Sequence, residues 1–325
     1  MKTPSPESPI VAITRAVAGQ AQVSGAQVKM WGDAMATREE LLGFVRGASV
    51  VVTMYSDKVN EEFLNAAGPG LKGVCNYAVG FENIDLAACK ARGVVVTNTP
   101  NAVTEGTADL AWTLILGVAR GVVKADRYAR SEAYPKNGPL GMAQLMGADL
   151  TGRTLLIVGA GRIGYAVAMR SIGWGMRVMY VARSRHWDFE LAPLAGERVT
   201  LEEGLAQADV VSIHTPLTPE TRHLINARML AKMKPSAILV NTSRGPVVDE
   251  QALVDALKAG RLYGAGLDVF EREPIVHPDL IGMDNVVLTP HIGSAAARYR
   301  AMMTQMAMEN AGAILSGREA PNRIA

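Results

Sequence analysis

The stretch Leu155-Leu156-Ile157-Val158-Gly159-Ala160-Gly161-Arg162-Ile163-Gly164 decides the fold of this chain. Its four leading apolar residues predict a strand covered on both faces. Ile163, Val167 and Met169 then fall in a helical pattern, so the glycines stand where a strand becomes a helix. Each glycine has a separate use there. Gly159 permits a tight turn, Gly161 lets backbone approach a pyrophosphate, and Gly164 lets the helix pack closely on the strand. Arg162 and Ile163 complete the loop at the helix N-terminus, where an anion rests favourably. The plainer alternative is an ordinary glycine turn between strand and helix; the context favours a dinucleotide-binding unit.

Beyond the loop, MRVMYVA (176–182), ADVVSIHTP (208–216), SAILVNTSRG (236–245), YGAGLDVF (263–270) and NVVLTPHIG (285–293) continue the strand rhythm, with helical segments between most of them. One of these helices is bounded by Asp249 as N-cap and Gly260 as a left-handed stop. Upstream, PIVAITR (9–15), SVVVTMY (49–55), LKGVCNY (71–77) and GVVVTNTP (93–100) predict a smaller parallel sheet, with TREELLGFV and KVNEEFLNAA as helices. A single long helix is expected over about 103–129, with Leu110, Leu114, Val118 and Val122 on one face. Residues 131–152 read as a long surface excursion, and the Met-rich tail as a helix whose methionines pack. The fold class is α/β, with two Rossmann-like or flavodoxin-like domains, parallel sheets and a cleft between them.

A dinucleotide fold normally places Asp or Glu about twenty residues after the glycines, on the ribose hydroxyls. Here that strand ends Ala182-Arg183-Ser184-Arg185. The missing acid removes repulsion against a 2′-phosphate, and the basic loop offers donors for it. NADPH is therefore the expected cofactor and NADH the second choice, unless both arginines merely solvate the loop.

At the carboxyl ends of later strands stand Arg244, Glu273 and His291, on the edge that the glycine loop marks. Carbonyl reduction needs a proton donor and a group that holds the carboxylate and polarises the carbonyl. His291 suits the first task because imidazole changes charge near neutral pH, and Glu273 suits its partner, with Glu271 the competing carboxylate. Arg244 suits the second. His214 is expected to support the cofactor loop, while His186, His223 and His277 read as surface residues.

Composition sets the outer limits. A chain of 325 residues is long enough for two cores, and 33 basic against 31 acidic residues, without a basic run, argue against a nucleic-acid partner. The opening residues show no leader, and the apolar stretch around 108–123 contains Asp109 and Arg120, so neither a membrane segment nor an exported chain is expected. Cys75 and Cys89 lie in apolar surroundings and read as buried thiols of a cytoplasmic protein. No histidine pair or Cys/His set has the spacing of a metal site, so no metal is expected.

Seven segments together resemble one family. They are NYAVGFENID (76–85), GVVVTNTPNAVTEGTADLAW (93–112), VGAGRIG (158–164), HTPLTPETRHLIN (214–226), NTSRGPVVDEQALVDALKAG (241–260), GAGLDVFEREP (264–274) and LTPHIGSA (288–295). In order and spacing they are similar to the D-2-hydroxyacid dehydrogenases, and within them to the glyoxylate/hydroxypyruvate reductase branch. The resemblance implies Arg244, Glu273 and His291 as the catalytic trio, and the amides of Val79 and Gly80 as ligands of the substrate carboxylate. It further implies Met54, Tyr55 and Ser294 around the substrate, and Thr107, His214, Pro216, Thr242 and Asp268 around the cofactor. It places a dinucleotide domain at 102–288 inside a substrate domain of 1–101 and 289–325, with hinges near Pro100 and Pro290. A homodimer formed through the long helix and the adjoining loop is also implied. Two other readings are an NAD-preferring dehydrogenase for a substrate such as phosphoglycerate or phosphite, and a non-catalytic dinucleotide-binding regulator. The retained trio speaks against the regulator.

Overall fold

The computed structural model describes residues 8–325; the first seven, on which the expectation of no leader partly rests, lie outside the described residues. Two compact units emerge, one taking the chain up to Val103 together with Ser294–Ala325, the other Thr104–Gly293.

In the first unit, strands β1 (Ile10–Ile13), β2 (Gln27–Met30), β3 (Val50–Thr53), β4 (Gly73–Asn76) and β5 (Val95–Thr97) form one parallel sheet. Its order is β2-β1-β3-β4-β5, a doubly wound arrangement of flavodoxin type. The fully buried β3 and β4, and β1, buried from Val11 onward, are the apolar runs seen in the sequence. Strand β2 was not expected: Gln-Val-Lys-Met lies at the sheet edge, half exposed, and so carries no apolar run. Helices Arg38–Phe44 and Glu61–Ala67 begin where Thr37 and Asn60 accept from backbone amides. The C-terminal helix Ala297–Leu315 packs on β3, β4 and β5, burying Met303 and Met308. After it, Ile324 and Ala325 pair with Val96 beside β5.

The second unit has seven parallel strands: β6 (Thr154–Val158), β7 (Arg177–Val181), β8 (Glu197–Arg198), β9 (Val210–Ile213), β10 (Ile238–Asn241), β11 (Gly264–Leu267) and β12 (Val286–Leu288). Their order, β12-β11-β10-β9-β6-β7-β8, reverses direction between β6 and β9. That switch point lies beside the glycine loop, where such sheets bind ligands. Side chains of β6 alternate between two cores: Leu156 and Val158 join Leu205, Val211 and Leu239, whereas Leu155 and Ile157 join Leu114, Ile115 and Val240. Each core buries one face of the sheet.

The expected single helix over 103–129 is instead two, Thr104–Ala119 and Val122–Arg130, bent by 66°. The break is at Gly121, whose φ of +58° is left-handed. Leu114 and Val118 are buried as the periodicity requires, but Val122 lies past the bend and is exposed. Within the surface excursion a short helix, Ala133–Asn137, forms, and Met142 and Met146 are exposed beyond it. Among the described residues no single helix is long and apolar enough to cross a membrane.

Candidate active site

The glycine loop is shaped by close approach. A methyl group on Gly159, whose φ is +103°, would lie 2.8 Å from the His214 carbonyl carbon and the Thr215 nitrogen. The segment leaving β9 therefore presses on the segment leaving β6. On Gly164 a methyl would lie 2.4 Å from the Gly159 oxygen, whereas at Gly161 it would meet nothing within 4 Å. Two glycines are thus fixed by packing, and the third leaves open backbone where helix Arg162–Arg170 starts. An adjoining groove of about 620 Å³ is lined by Ala160, Gly161, Arg162, Tyr165, His186 and Asp188. Near the same switch point the buried Nδ1 of His214 and, after β10, the buried Oγ1 of Thr242 have no hydrogen-bond partner among the described residues. An open glycine turn plus polar atoms awaiting partners fits a dinucleotide.

The loop after β7 differs from its reading in detail. Arg183 and Ser184 are exposed. Arg185 bonds Glu190 at 2.5 Å and lies 4.0 Å over the Trp187 ring, so part of its donor capacity is already used. Arg198, from β8, donates to the carbonyls of Ala182 and Arg183 at 2.9 Å and adds another guanidinium at this loop. Its distance in sequence gave no signal for this contact.

On the other side of the switch point, β10, β11 and β12 deliver the three polar residues. Buried Asn241 ends β10, accepts from the Ser243 amide at 3.0 Å and donates to the Arg244 carbonyl at 2.9 Å, closing the turn that carries Arg244. A methyl on Gly245 would lie 1.9 Å from the Phe270 carbonyl, so only glycine lets this turn meet the 270–273 turn. Glu273 folds back so that its Oε1 accepts from the Phe270 amide, and its Oε2 lies 2.8 Å from His291 Nδ1. His291 has a left-handed φ of +55°. Its amide donates to the Asp268 carbonyl at 2.8 Å.

Asp268 is itself buried. One carboxylate oxygen accepts from Thr289 Oγ1 and the Ile292 amide, the other from the Gly293 amide. Burial raises its carboxyl above the usual range, and these donors offset only part of that. Asp268 thus braces the segment bearing His291. Thr107 is buried near Gly293, and Pro216 is exposed with its carbonyl accepting from Thr221. Burial pushes the His214 imidazole down to about 3, which leaves it neutral; its Nε2 meets Ser212 Oγ at 2.8 Å.

Two expectations change. Glu271, the competing carboxylate, bonds His223 at 2.8 Å rather than His291. His223 is consequently a partnered, half-buried residue, and His277 caps helix Pro278–Ile281 by accepting from the Asp279 amide, so neither is an idle surface histidine. In the first unit, Met54 is buried and Tyr55 exposed after β3, Val79 and Gly80 are half-buried after β4, and Ser294 opens the returning segment. Cys75 and Cys89 are buried free thiols, pushed up to about 12 and about 11 mainly by burial. Among the described residues no group of three His, Cys, Asp or Glu side chains could hold a metal ion.

Residues 112–293 match the family described as D-isomer specific 2-hydroxyacid dehydrogenase, NAD binding domain. The chain is 46% identical over 303 residues to the glyoxylate reductase of Thermococcus onnurineus, covering 92% of this chain and 89% of that protein. Against the glyoxylate reductase of Pyrococcus horikoshii it is 45% identical over 300 residues, covering 92% and 89%. A crystal structure of a Thermus thermophilus protein superposes with a TM-score of 0.91 at 44% identity, over 97% of this chain and 100% of that one. The NADPH-dependent glyoxylate/hydroxypyruvate reductase of Sinorhizobium meliloti, solved with NADP and malonate, gives 0.81 at 30% identity, over 98% and 97%. With a nucleotide-binding edge, a polar trio and relatives of this kind, the chain belongs to the D-isomer specific 2-hydroxyacid dehydrogenases, oxidoreductases that use a nicotinamide dinucleotide.

Proposed function

We propose that this protein reduces a small 2-oxo acid, glyoxylate or hydroxypyruvate, to glycolate or D-glycerate with NADPH. The observation that carries the proposal is the 2.8 Å bond between His291 Nδ1 and Glu273, on the sheet edge that also bears Arg244 and the glycine loop. The dinucleotide supplies a hydride when bound. His291 delivers the accompanying proton to the carbonyl oxygen through Nε2, with Glu273 fixing the ring through Nδ1. Arg244 polarises the carbonyl and holds the acid, a task for a planar guanidinium that keeps its charge. The amides of Val79 and Gly80 bind the carboxylate, with Met54, Tyr55 and Ser294 beside the substrate. They leave the carboxyl ends of β3 and β4, the usual ligand edge of a doubly wound sheet, or open the returning segment.

For the dinucleotide we assign Gly159, Gly161, Arg162, Ile163 and Gly164 to the pyrophosphate. Thr107, His214, Pro216, Thr242 and Asp268 belong to the nicotinamide side. Ala182 in place of an acid, with Arg183, Ser184 and Arg185 around it, supports NADPH over NADH. Arg198 adds to that positive loop, while the Glu190 partner of Arg185 makes Arg183 the leading phosphate ligand. The exposed apolar residues Val122, Tyr134, Met142 and Met146 support a homodimer, and the buried free thiols a cytoplasmic setting.

The test is a kinetic matrix of NADPH and NADH against glyoxylate, hydroxypyruvate, pyruvate and bulkier 2-oxo acids. The proposal expects the highest kcat/KM with NADPH and one of the two smallest polar oxo acids. A preference for NADH across all substrates contradicts the reading of Ala182, Arg183 and Arg185, and a preference for bulky acids contradicts the assigned substrate.

A further inference from the structure

Three consecutive carbonyls in the loop after β4 each accept hydrogen bonds from Thr99, Asn98 or Asn76. The Ala78 oxygen accepts from the Thr99 amide at 3.0 Å and from Thr99 Oγ1 at 3.2 Å. The Val79 oxygen accepts from Asn98 Nδ2 at 2.8 Å, and the Gly80 oxygen from Asn76 Nδ2 at 2.7 Å. A trans peptide is planar, so the N–H of the next residue points away from each bonded carbonyl. Holding these carbonyls therefore turns the amides of Val79, Gly80 and Phe81 away from the three side chains. Among the described residues none of the three amides has a protein acceptor. Successive outward amides of this kind form an anion-binding concavity.

The holding residues are themselves fixed. Asn76 and Thr99 are fully buried. Asn76 Oδ1 accepts from Thr53 Oγ1 at 3.0 Å and from Asn83 Nδ2 at 3.2 Å. The backbone of Asn98 is bonded to buried Asn310 and to Asn322, so the returning C-terminal segment sets its position. Each side-chain donor is neutral, which leaves the amides of the loop to meet the charge of a bound anion.

We infer that Asn76, Asn98 and Thr99 are positioning residues that set a three-amide cradle, Val79, Gly80 and Phe81, for the carboxylate of the 2-oxo acid. This rests on the proposed reading of the loop as the carboxylate site. It adds Phe81 as a third donor and explains how neutral side chains orient the backbone.

The test uses the full-length protein with NADPH and compares glyoxylate with its neutral analogue glyoxylamide. Asn98→Leu removes the donor to Val79 without adding charge. The expected result is a KM for glyoxylate raised about tenfold, with the preference for acid over amide narrowed by the same factor. Turnover at saturation stays within about twofold, as does the Kd for NADPH from fluorescence, because the cradle binds ground and transition states alike. Thr99→Val keeps one of the two bonds to Ala78 and should shift KM in the same direction by about threefold. This second variant decides the matter if Asn98→Leu does not fold. Folded variants with unchanged KM and unchanged preference would overturn the positioning role. A wild-type protein that turns over acid and amide equally would overturn the carboxylate reading itself.

Discussion

Two imidazole–carboxylate pairs meet on the 270–273 turn of the second unit, and they look alike. His291 lies 2.8 Å from Glu273, His223 lies 2.8 Å from Glu271, and both histidines have left-handed φ, +55° and +50°. Neither distance nor backbone strain separates them; their neighbours do. Glu271 also accepts from the Glu250 amide, while Glu250 accepts from the Glu271 amide, so this pair ties the turn to the start of helix Glu250–Lys258. Burial alone would raise the Glu271 carboxyl, but His223 and that amide outweigh it and hold it below the usual range. Its charge is thereby kept at a helix N-terminus, where it is stabilising. The His291 pair belongs to the segment braced by Asp268, and its turn is packed against the one bearing Arg244. One pair closes a structural joint; the other stands on the sheet edge that also bears Arg244 and the glycine loop.

The broadest expected effect abolishes the distinction by disturbing both pairs. Gly245→Ala forces the Phe270 carbonyl to move, and we expect turnover to fall about a hundredfold. The same change should cost about 2–3 kcal/mol of stability, read from urea unfolding. Glu273→Gln is aimed at one pair alone: kcat should drop by about a hundredfold with little change in melting temperature. His214 sharpens the comparison as an imidazole with no carboxylate. Burial holds it down to about 3 against the ordinary 6.5, so the unfolded chain takes up the proton first as pH falls. The stability tied to neutral His214 is complete above 6.5 and is lost progressively toward about 3. Urea midpoints should therefore fall between pH 7 and pH 5, and less steeply in His214→Asn. The smallest effect belongs to the structural pair, since Glu271→Gln should lose about 1 kcal/mol while kcat stays within about twofold.

The contrast between the pairs also marks what a sequence discloses. Strands β6, β9 and β10 are legible because they are buried on both faces and therefore mostly apolar, and the glycine loop because two close approaches, at Gly159 and Gly164, flank an open turn at Gly161. The common edge of Arg244, Glu273 and His291 follows from strand order alone. What stays hidden is contact without period. Strands β2 and β8 are edge strands with solvent-facing residues, and the long helix breaks at a glycine that helical spacing does not reveal. The choice between Glu271 and Glu273 depends on which carboxylate folds back over two residues of turn. Arg198 reaches the Ala182 and Arg183 carbonyls, and Asn98 the Val79 carbonyl, through side-chain-to-backbone bonds between distant segments. No periodicity records such bonds.

The most direct test is the turnover of glyoxylate with NADPH in His291→Gln beside His223→Gln, each first shown to keep its melting temperature and its NADPH Kd. The account predicts a loss of about a thousandfold in kcat for His291→Gln. For His223→Gln it predicts a change within about twofold. Comparable losses in the two variants, or undiminished turnover in His291→Gln, would contradict the claim that His291 alone delivers the proton.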